Sequence, residues 1–475
     1  MNTRLGCTRR AVIAATMLGA ALVGCAGSDT DARGGPDTTA PASGDTGTVE
    51  GALRVPQDFD TIQAAVDAAT EGDLVLLDEG TYEEAVDVTT ADVTIRGVDR
   101  NTVILDGGFE LENGIRVLDT DGVVVENLTA RNFLSNGFFW TGSDRYRGSY
   151  LTAYHNGDYG LYAFDAYHGQ FDHSLGSGSP DAGFYIGECY ECDAVIDDVI
   201  SEHNGLGYSG TNSGGELYIV NSTFRNNRVG IVPNSGSYEL CYPGRRNTIV
   251  GNTVHDNNNL EAPAIDVALL AHGNGILVAG SVDNVVERNL VFDHNRTGIA
   301  MVPFPEDDAN DVAPAEDEWD TACEEVRNDE IPAADADPGF VLWHPYDNSI
   351  TDNVVEGSGL ADLVTATIED DTVTLESLGN CFSGNTFTSS APEELETLAP
   401  CGGTGNGDWS KGAFDLIPLI ADQPPAPPDD AYQNTPEPGE QETMPDATTA
   451  PAEKFTAPAK PDVDAIEVPD KPSGS

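Results

Sequence analysis

Apolar and polar positions alternate in short bursts along most of this chain, and one early segment departs from that rhythm. Between Thr61 and Ala69 the apolar residues fall at 62, 65, 66 and 69, the spacing of one helical face. Asp60 or Thr61 stands where an N-cap would accept the first free backbone N–H groups. Gly72–Tyr82 and Val93–Gly97 then carry short strand patterns. Beyond them, β-prone runs are punctuated by Gly, Asn and Asp. Glycines followed by an apolar–x–apolar triplet stand at 137, 160, 183, 207, 230, 275 and 298, so the interval is 23 or 24 residues with one interval of 45. The 45 is two coils, or one coil with an inserted loop. The runs VVVENLTARN, LYIVNSTFRN, TIVGNTVHDN, NVVERNLVFDHN and SITDNVVEGS place Asn at or near a recurring turn. Three short strands in about 23 residues, with Asn or Asp at the corners, predict an all-β solenoid: a right-handed parallel β-helix. The early helix would cap it. Recurrent hairpin signals, which a sandwich or barrel needs, are missing.

Two stretches carry a family resemblance. TIQAAVDAATEGDLVLLDEGTYEEAVDV, followed by VTIRGVDRNTVILDG, resembles the opening of many pectate-lyase-like β-helix proteins. VVVENLTARNFLSNG and VVERNLVFDHNRTGIAM resemble their coil repeats, and the likeness runs over about 53–390. That family includes polysaccharide lyases, glycoside hydrolases, alginate epimerases, phage tailspikes and a periplasmic protein of copper-enzyme maturation. The resemblance therefore implies a fold and leaves the reaction open.

The ends of the chain speak to its address. Arg4, Arg9 and Arg10 precede an apolar run from Ala11 to Val23 that is too short to span a bilayer, so 1–24 read as a signal peptide. Leu22-Val23-Gly24-Cys25 resembles the bacterial lipobox, which would make Cys25 a lipidated N-terminus anchored in a membrane. The expected location is exported and lipid-anchored, facing the extracellular or periplasmic side. Residues 25–52 read as a flexible tether and 53–420 as the folded body, broken by an acidic insertion at 303–340. Residues 421–475 are Pro/Ala/Asp-rich and are expected to be disordered.

Charge removes one class of partner. With 81 Asp and Glu against 22 Lys and Arg, the formal net charge is −59, and all four lysines (411, 454, 460, 471) lie near the C-terminus. A nucleic acid needs rows of Lys and Arg to displace its counterions, so none is expected to bind. A monomer is expected. Setting aside Cys7 and Cys25 leaves Cys189, Cys192, Cys241, Cys323, Cys381 and Cys401, an even number that favours disulfides in an exported protein. The pairing expected is 189–192, 241–323 and 381–401.

The family's reactions can be tested against residues. Polygalacturonase-like hydrolases carry paired Asp, a Gly-His-Gly and an Arg-x-Lys; this chain has Asp197-Asp198, no Gly-His-Gly and no lysine before 411. The Asp-Pro-His of alginate epimerases is only loosely echoed in Asp165-Ala-Tyr-His168. A copper role would want sulfur ligands, and after the signal only Met301 and Met444 remain. Coil register offers more. Five residues after each glycine stand Asp165, Glu188 and Asn212; eight after stand Arg145, His168 and Glu191. Neighbouring coils lie about 4.8 Å apart, so Asp165 and Glu188 would repel unless protonated or bridged by a cation such as calcium. Arg145 as base or charge neutraliser, His168 as proton shuttle and Glu191 would form a catalytic column. Tyr162 and Tyr185, with Asn212, would bind sugar. The leading expectation is a surface protein that binds or processes polysaccharide, as a uronate lyase or epimerase. The alternative is a non-catalytic scaffold or adhesin that binds glycan or protein along the β-helix face.

Overall fold

The computed structural model describes residues 49–323, 339–368, 372–421 and 423–472. The signal peptide, Cys25 and nearly all of the tether lie outside the described residues. Within them the chain winds as a right-handed parallel β-helix whose three parallel sheets contain twelve, eleven and ten strands. One turn shows the plan: Phe138–Thr141, Arg147–Ser149 and Thr152–Tyr154 each enter a different sheet. The next turn stacks upon it with Phe138 opposite Leu161, the 23-residue period of the sequence. Ile231 pairs directly with Ile276, so the 45-residue interval is one coil carrying an inserted loop.

Parallel strands leave no polar edge inside, and one inward row of the twelve-stranded sheet runs Ile95, Val125, Phe171, Ile196, Ile219, Ile249, Val286, Ile350 and Phe382, all buried. Gly148 interrupts that row because the Phe171 ring and Leu151 already fill the space a Cβ would take. The corners are held by asparagine ladders. Asn227 Oδ1 accepts from both the backbone N–H (2.9 Å) and the side-chain amide (3.0 Å) of Asn204, and Asn257 does the same for Asn227. A second ladder climbs through Asn247, Asn284, Asn348 and Asn380. These rungs satisfy backbone groups that the turns would otherwise bury unpaired. The helix α1 (Ile62–Ala68) covers the first coil with Ile62, Ala65 and Val66, and Thr61 Oγ1 accepts the Ala64 N–H at 3.1 Å as its cap. The three disulfides form as paired from the sequence, Cys189–Cys192, Cys241–Cys323 and Cys381–Cys401.

The C-terminal segment departs from expectation. It lacks a periodic apolar face, yet 432–471 lie against the coils from one end of the stack towards the other. Arg96, 1% exposed, donates to Ala450 O (2.5 Å) and Pro451 O (2.8 Å), and Arg100 donates to Glu442 O (3.1 Å). Asn127 Oδ1 accepts the Met444 N–H at 2.8 Å. Val463 and Ile466 pack on Val195, Tyr218, Val220 and Val250, and Lys471 meets Glu356 at 2.6 Å. Many of these contacts are made by coil side chains to the backbone of this segment, and its own contributing side chains are scattered without period, so the pattern of its residues gives no signal of the docking.

Candidate functional site

The residues singled out by coil register do stack, though their surroundings change what they can do. Asp165, Glu188 and Asn212 occupy one left-handed corner position in consecutive coils, with φ of 51°, 50° and 48°. The Asp165 N–H donates to Gly187 O (3.2 Å) and the Glu188 N–H to Thr211 O (3.0 Å), which fixes them as neighbouring rungs. A metal site does not follow. Glu188 Oε2 accepts the Leu240 N–H at 2.9 Å, and among the described residues no group of three or more His, Cys, Asp or Glu is arranged to hold an ion. Asn212 is fully buried and clamps a loop: its amide donates to Gly236 O (2.7 Å) and Glu239 O (2.8 Å), while its Oδ1 accepts from the Gly236 N–H (3.2 Å). It is a positioning residue, with no face left for sugar.

In the second column, Arg145 donates to Asp92 at 2.9 Å, and His168 Nδ1 meets Asp144 at 2.6 Å. The next rung is Asp193, 3.5 Å from His168 Nε2, instead of Glu191. Gln170 pairs with Val195 whereas Tyr162 pairs with Tyr185, so two extra residues enter at the Cys189–Cys192 loop. Glu191 is displaced to the surface beside Gly215. The tail residues Ala457, Pro458 and Lys460 line a hollow of about 180 Å³ together with His168, Asp193 and Glu216. The column is thus ion-paired and flanked by the chain's own tail.

The tyrosines are rungs of a packed ladder. Phe139, Tyr162 and Tyr185 stack with ring centroids 5.0 and 4.6 Å apart. Tyr185 is 1% exposed, so its ring cannot receive a sugar. Its hydroxyl, however, donates to Glu239 Oε1 and Oε2 at 2.8 and 2.7 Å. Beside it, Tyr159 donates to Asp181 Oδ2 at 2.8 Å. In the next coil the aromatic row gives way to Ser209, opposite Tyr185, and then to Val232. Where the rings stop, a cleft of about 680 Å³ opens. Tyr159, Asp181, Ser209, Thr211, Tyr238 and Glu239 line it. Asp266, at the start of the short helix α2 (Asp266–Leu270), and Asp307 line it as well. Among the described residues, its lining contains no Lys, Arg or His.

The loop that brings Tyr238 and Glu239 over the sheet is tied from several directions. Besides Asn212, Glu306 accepts from the Ser237 N–H (2.8 Å), the Ser237 hydroxyl (2.9 Å) and Trp343 Nε1 (2.7 Å). Ser235 and Gly244 bond across its base, and the Cys241–Cys323 disulfide pins its far side. Tyr238 remains 45% exposed, with its hydroxyl held by Asn234 Nδ2 at 2.7 Å, so its ring face is turned out in a fixed orientation.

Burial among like charges sets the protonation of this cleft. Desolvation raises the Glu239 carboxyl from 4.5 to about 8; the Tyr185 bond opposes the rise, and the Glu188 and Asp181 charges add to it. Asp158 rises from 3.8 to about 7, through burial and then Asp266. Asp181 is held well above the carboxylate range by burial and by Asp158, one coil below. Burial also raises the Tyr159 and Tyr185 hydroxyls, which therefore stay protonated as donors. The arrangement supplies protonated carboxyls at neutral pH, an acid pair sharing charge, and an aromatic face, which together suit proton transfer to a polar, uncharged ligand.

The coil-register reading missed Glu239, Tyr238, Asp181 and Tyr159. Two signals pointed to them. The 45-residue interval marks the coil that carries the loop, and Asp158 and Asp181 recur two residues before Gly160 and Gly183.

The family model "Right handed beta helix region" matches residues 82–241. Among solved structures, the A-module of mannuronan C-5 epimerase AlgE4 from Azotobacter vinelandii is similar at 16% identity over 72% of this chain and 94% of that one, with a TM-score of 0.45. An alginate lyase from Paenibacillus sp. is similar at 18% identity over 47% of this chain and 91% of that one, with a TM-score of 0.31. At these values neither adds to what the strand pairing shows. No curated protein sequence matches the chain.

Proposed function

We propose that this chain is an exported, lipid-anchored β-helix that processes neutral carbohydrate in the Glu239 cleft. The observation that carries this reading is the pairing of raised carboxyls with tyrosine hydroxyls in an open cleft whose described lining has no cationic side chain. Glu239, protonated at neutral pH, would give its proton to a glycosidic oxygen as the C–O bond breaks. Asp181, which lines the same cleft, would in its ionised form take a proton from the water that attacks the anomeric carbon, and Asp158, one coil below, sets how readily it ionises. Tyr238 offers its ring to a sugar face.

Uronate lyase or epimerase chemistry fits this cleft less well. Both must neutralise the substrate's own carboxylate, and the described lining of the cleft offers no cation for that, while Asp266 and Asp307 would repel it. Arg145, the candidate for that task, and His168, the candidate proton shuttle, are engaged with Asp92, Asp144 and Asp193. The test is turnover of a panel of neutral and uronate polysaccharides by the mature protein, reading reducing ends and unsaturated products separately. Reducing ends from a neutral polymer, lost in Glu239→Gln, are expected. Unsaturated products from a uronate polymer would overturn the reading. Binding without turnover, sensitive to Tyr238→Ala, would favour the scaffold or adhesin instead.

A further inference from the structure

The outer faces of β-helix strands ordinarily meet water, but on the later coils of the eleven-stranded sheet they are apolar. Leu277, Ala300 and Val364 are in register on three successive strands, and Ala279 pairs with Val302 alongside them. Helix α2 and residues 414–420 fold over this strip, and Ala268, Ala271 and Leu416 are buried against it. The cover does not fill the space. A hollow of about 70 Å³ remains, with Leu277, Ala279, Ala300 and Val302 on one side and Phe414 and Leu419 among those on the other. Apart from Asn274, Arg296 and Thr297, every described side chain that lines it is apolar.

This hollow and the carboxyl cleft have four residues in common: Val267, Leu270, Phe304 and Pro305. A ligand seated on Tyr238 and Glu239 that extends across Phe304, whose ring centroid is 6.2 Å from that of Tyr238, comes directly upon the apolar strip. Water gains little there, because an apolar cavity offers it few hydrogen-bond partners. Its capacity, roughly five water-sized groups at about 10–15 Å³ each, suits a short alkyl chain or a single ring.

We infer that the substrate is a sugar bearing an apolar substituent, an alkyl or aryl glycoside in chemical class, with the sugar in the carboxyl cleft and the substituent in the hollow beyond Phe304. This rests on the carbohydrate reading of the cleft and narrows it. The two ends have opposite character, so a uniformly polar glycan would leave the hollow unused, and a simple lipid would set apolar surface against the polar lining of the carboxyl cleft.

The experiment uses the whole mature protein and matched methyl and hexyl glycosides of glucose, galactose, mannose and N-acetylglucosamine, with binding measured by calorimetry. Each methylene buried strengthens binding about fourfold, so two or more in the hollow predict at least a tenfold preference for the hexyl form of the accepted sugar. Ala300→Leu fills the hollow without touching the carboxyl cleft; it should abolish the preference and leave methyl glycoside affinity unchanged. Ala279→Leu, which fills it from the adjacent position, gives the same reading should the first variant fold poorly. Equal affinity for methyl and hexyl forms, or a preference that survives both fillings, overturns the inference. In that case Tyr238→Ala shows whether the cleft still binds sugar, and the broader reading stands or falls on that result alone. Failure of every glycoside to bind overturns both.

Discussion

Replacing Glu239 with Gln isolates the electrostatic feature on which the candidate site rests. The Gln amide still accepts the Tyr185 hydroxyl but has no proton to lose. In the native protein burial raises the Glu239 carboxyl from 4.5 to about 8, so the folded state holds its proton more tightly than the unfolded state. The sign follows directly: this contribution is fully present below pH 4.5 and is lost as pH rises through about 8. A rise of this size corresponds to nearly 5 kcal/mol at about 1.4 kcal/mol per pH unit. Water entering the open cleft screens part of it, which leaves about 2 kcal/mol. Chemical denaturation at pH 4, 6, 8 and 9 measures it. Glu239→Gln is expected to gain stability relative to the wild type by about 2 kcal/mol between pH 4 and pH 9. Asp158 and Asp181 titrate in both proteins, so the wild-type slope is reduced in the variant without vanishing. Parallel stability curves across that range would refute the burial of this carboxyl, and with it the assignment of Glu239 as a proton donor at neutral pH.

Tyr185→Phe removes the hydroxyl that holds Glu239 down, so the alkaline limb of activity and the stability transition should both move to higher pH; no shift, or a shift downward, would contradict the Tyr185–Glu239 bond. Deleting the chain after Ala421 strips Arg96 and Arg100 of acceptor carbonyls, and at about 1.5 kcal/mol or more for each charged hydrogen bond lost the thermal midpoint should fall by several degrees; an unchanged midpoint in calorimetry would mean the tail is not docked. Cys25→Ser should move the protein from the detergent phase to the aqueous phase on partitioning, and continued detergent partitioning would exclude a lipid anchor at that residue.

What could be read from the chain depended on whether the information was local and periodic. The 23-residue interval, the Asn corners and the helical spacing of 62, 65, 66 and 69 are repeats of one environment, so each coil restates the fold. The rungs at Asp165 and Glu188 were legible for the same reason. The functional meaning was not, because it depends on where the repeat fails. Counting by period placed Glu191 in a column from which two inserted residues remove it. Tyr185 looked like an exposed sugar platform until the loop carrying Glu239 was laid over it. That loop and Glu306 meet across 69 residues of sequence, a distance at which no spacing rule operates. The tail was misread for a related reason: its partners lie far back in the chain, and it meets them through backbone carbonyls and a few side chains spaced without period.

Solenoids couple each repeat only to its neighbours, so their ends can fray without disturbing the middle. The tail changes that here. It bonds Asn101 and Asn127 near one end, crosses Arg147 and Glu216 midway, and reaches Glu356 close to the other. A coil that opens at either end must break contacts with a segment also anchored on distant coils. The cord thereby ties what would be a row of independent turns into one cooperative body, and loosening it anywhere would be felt along the whole stack.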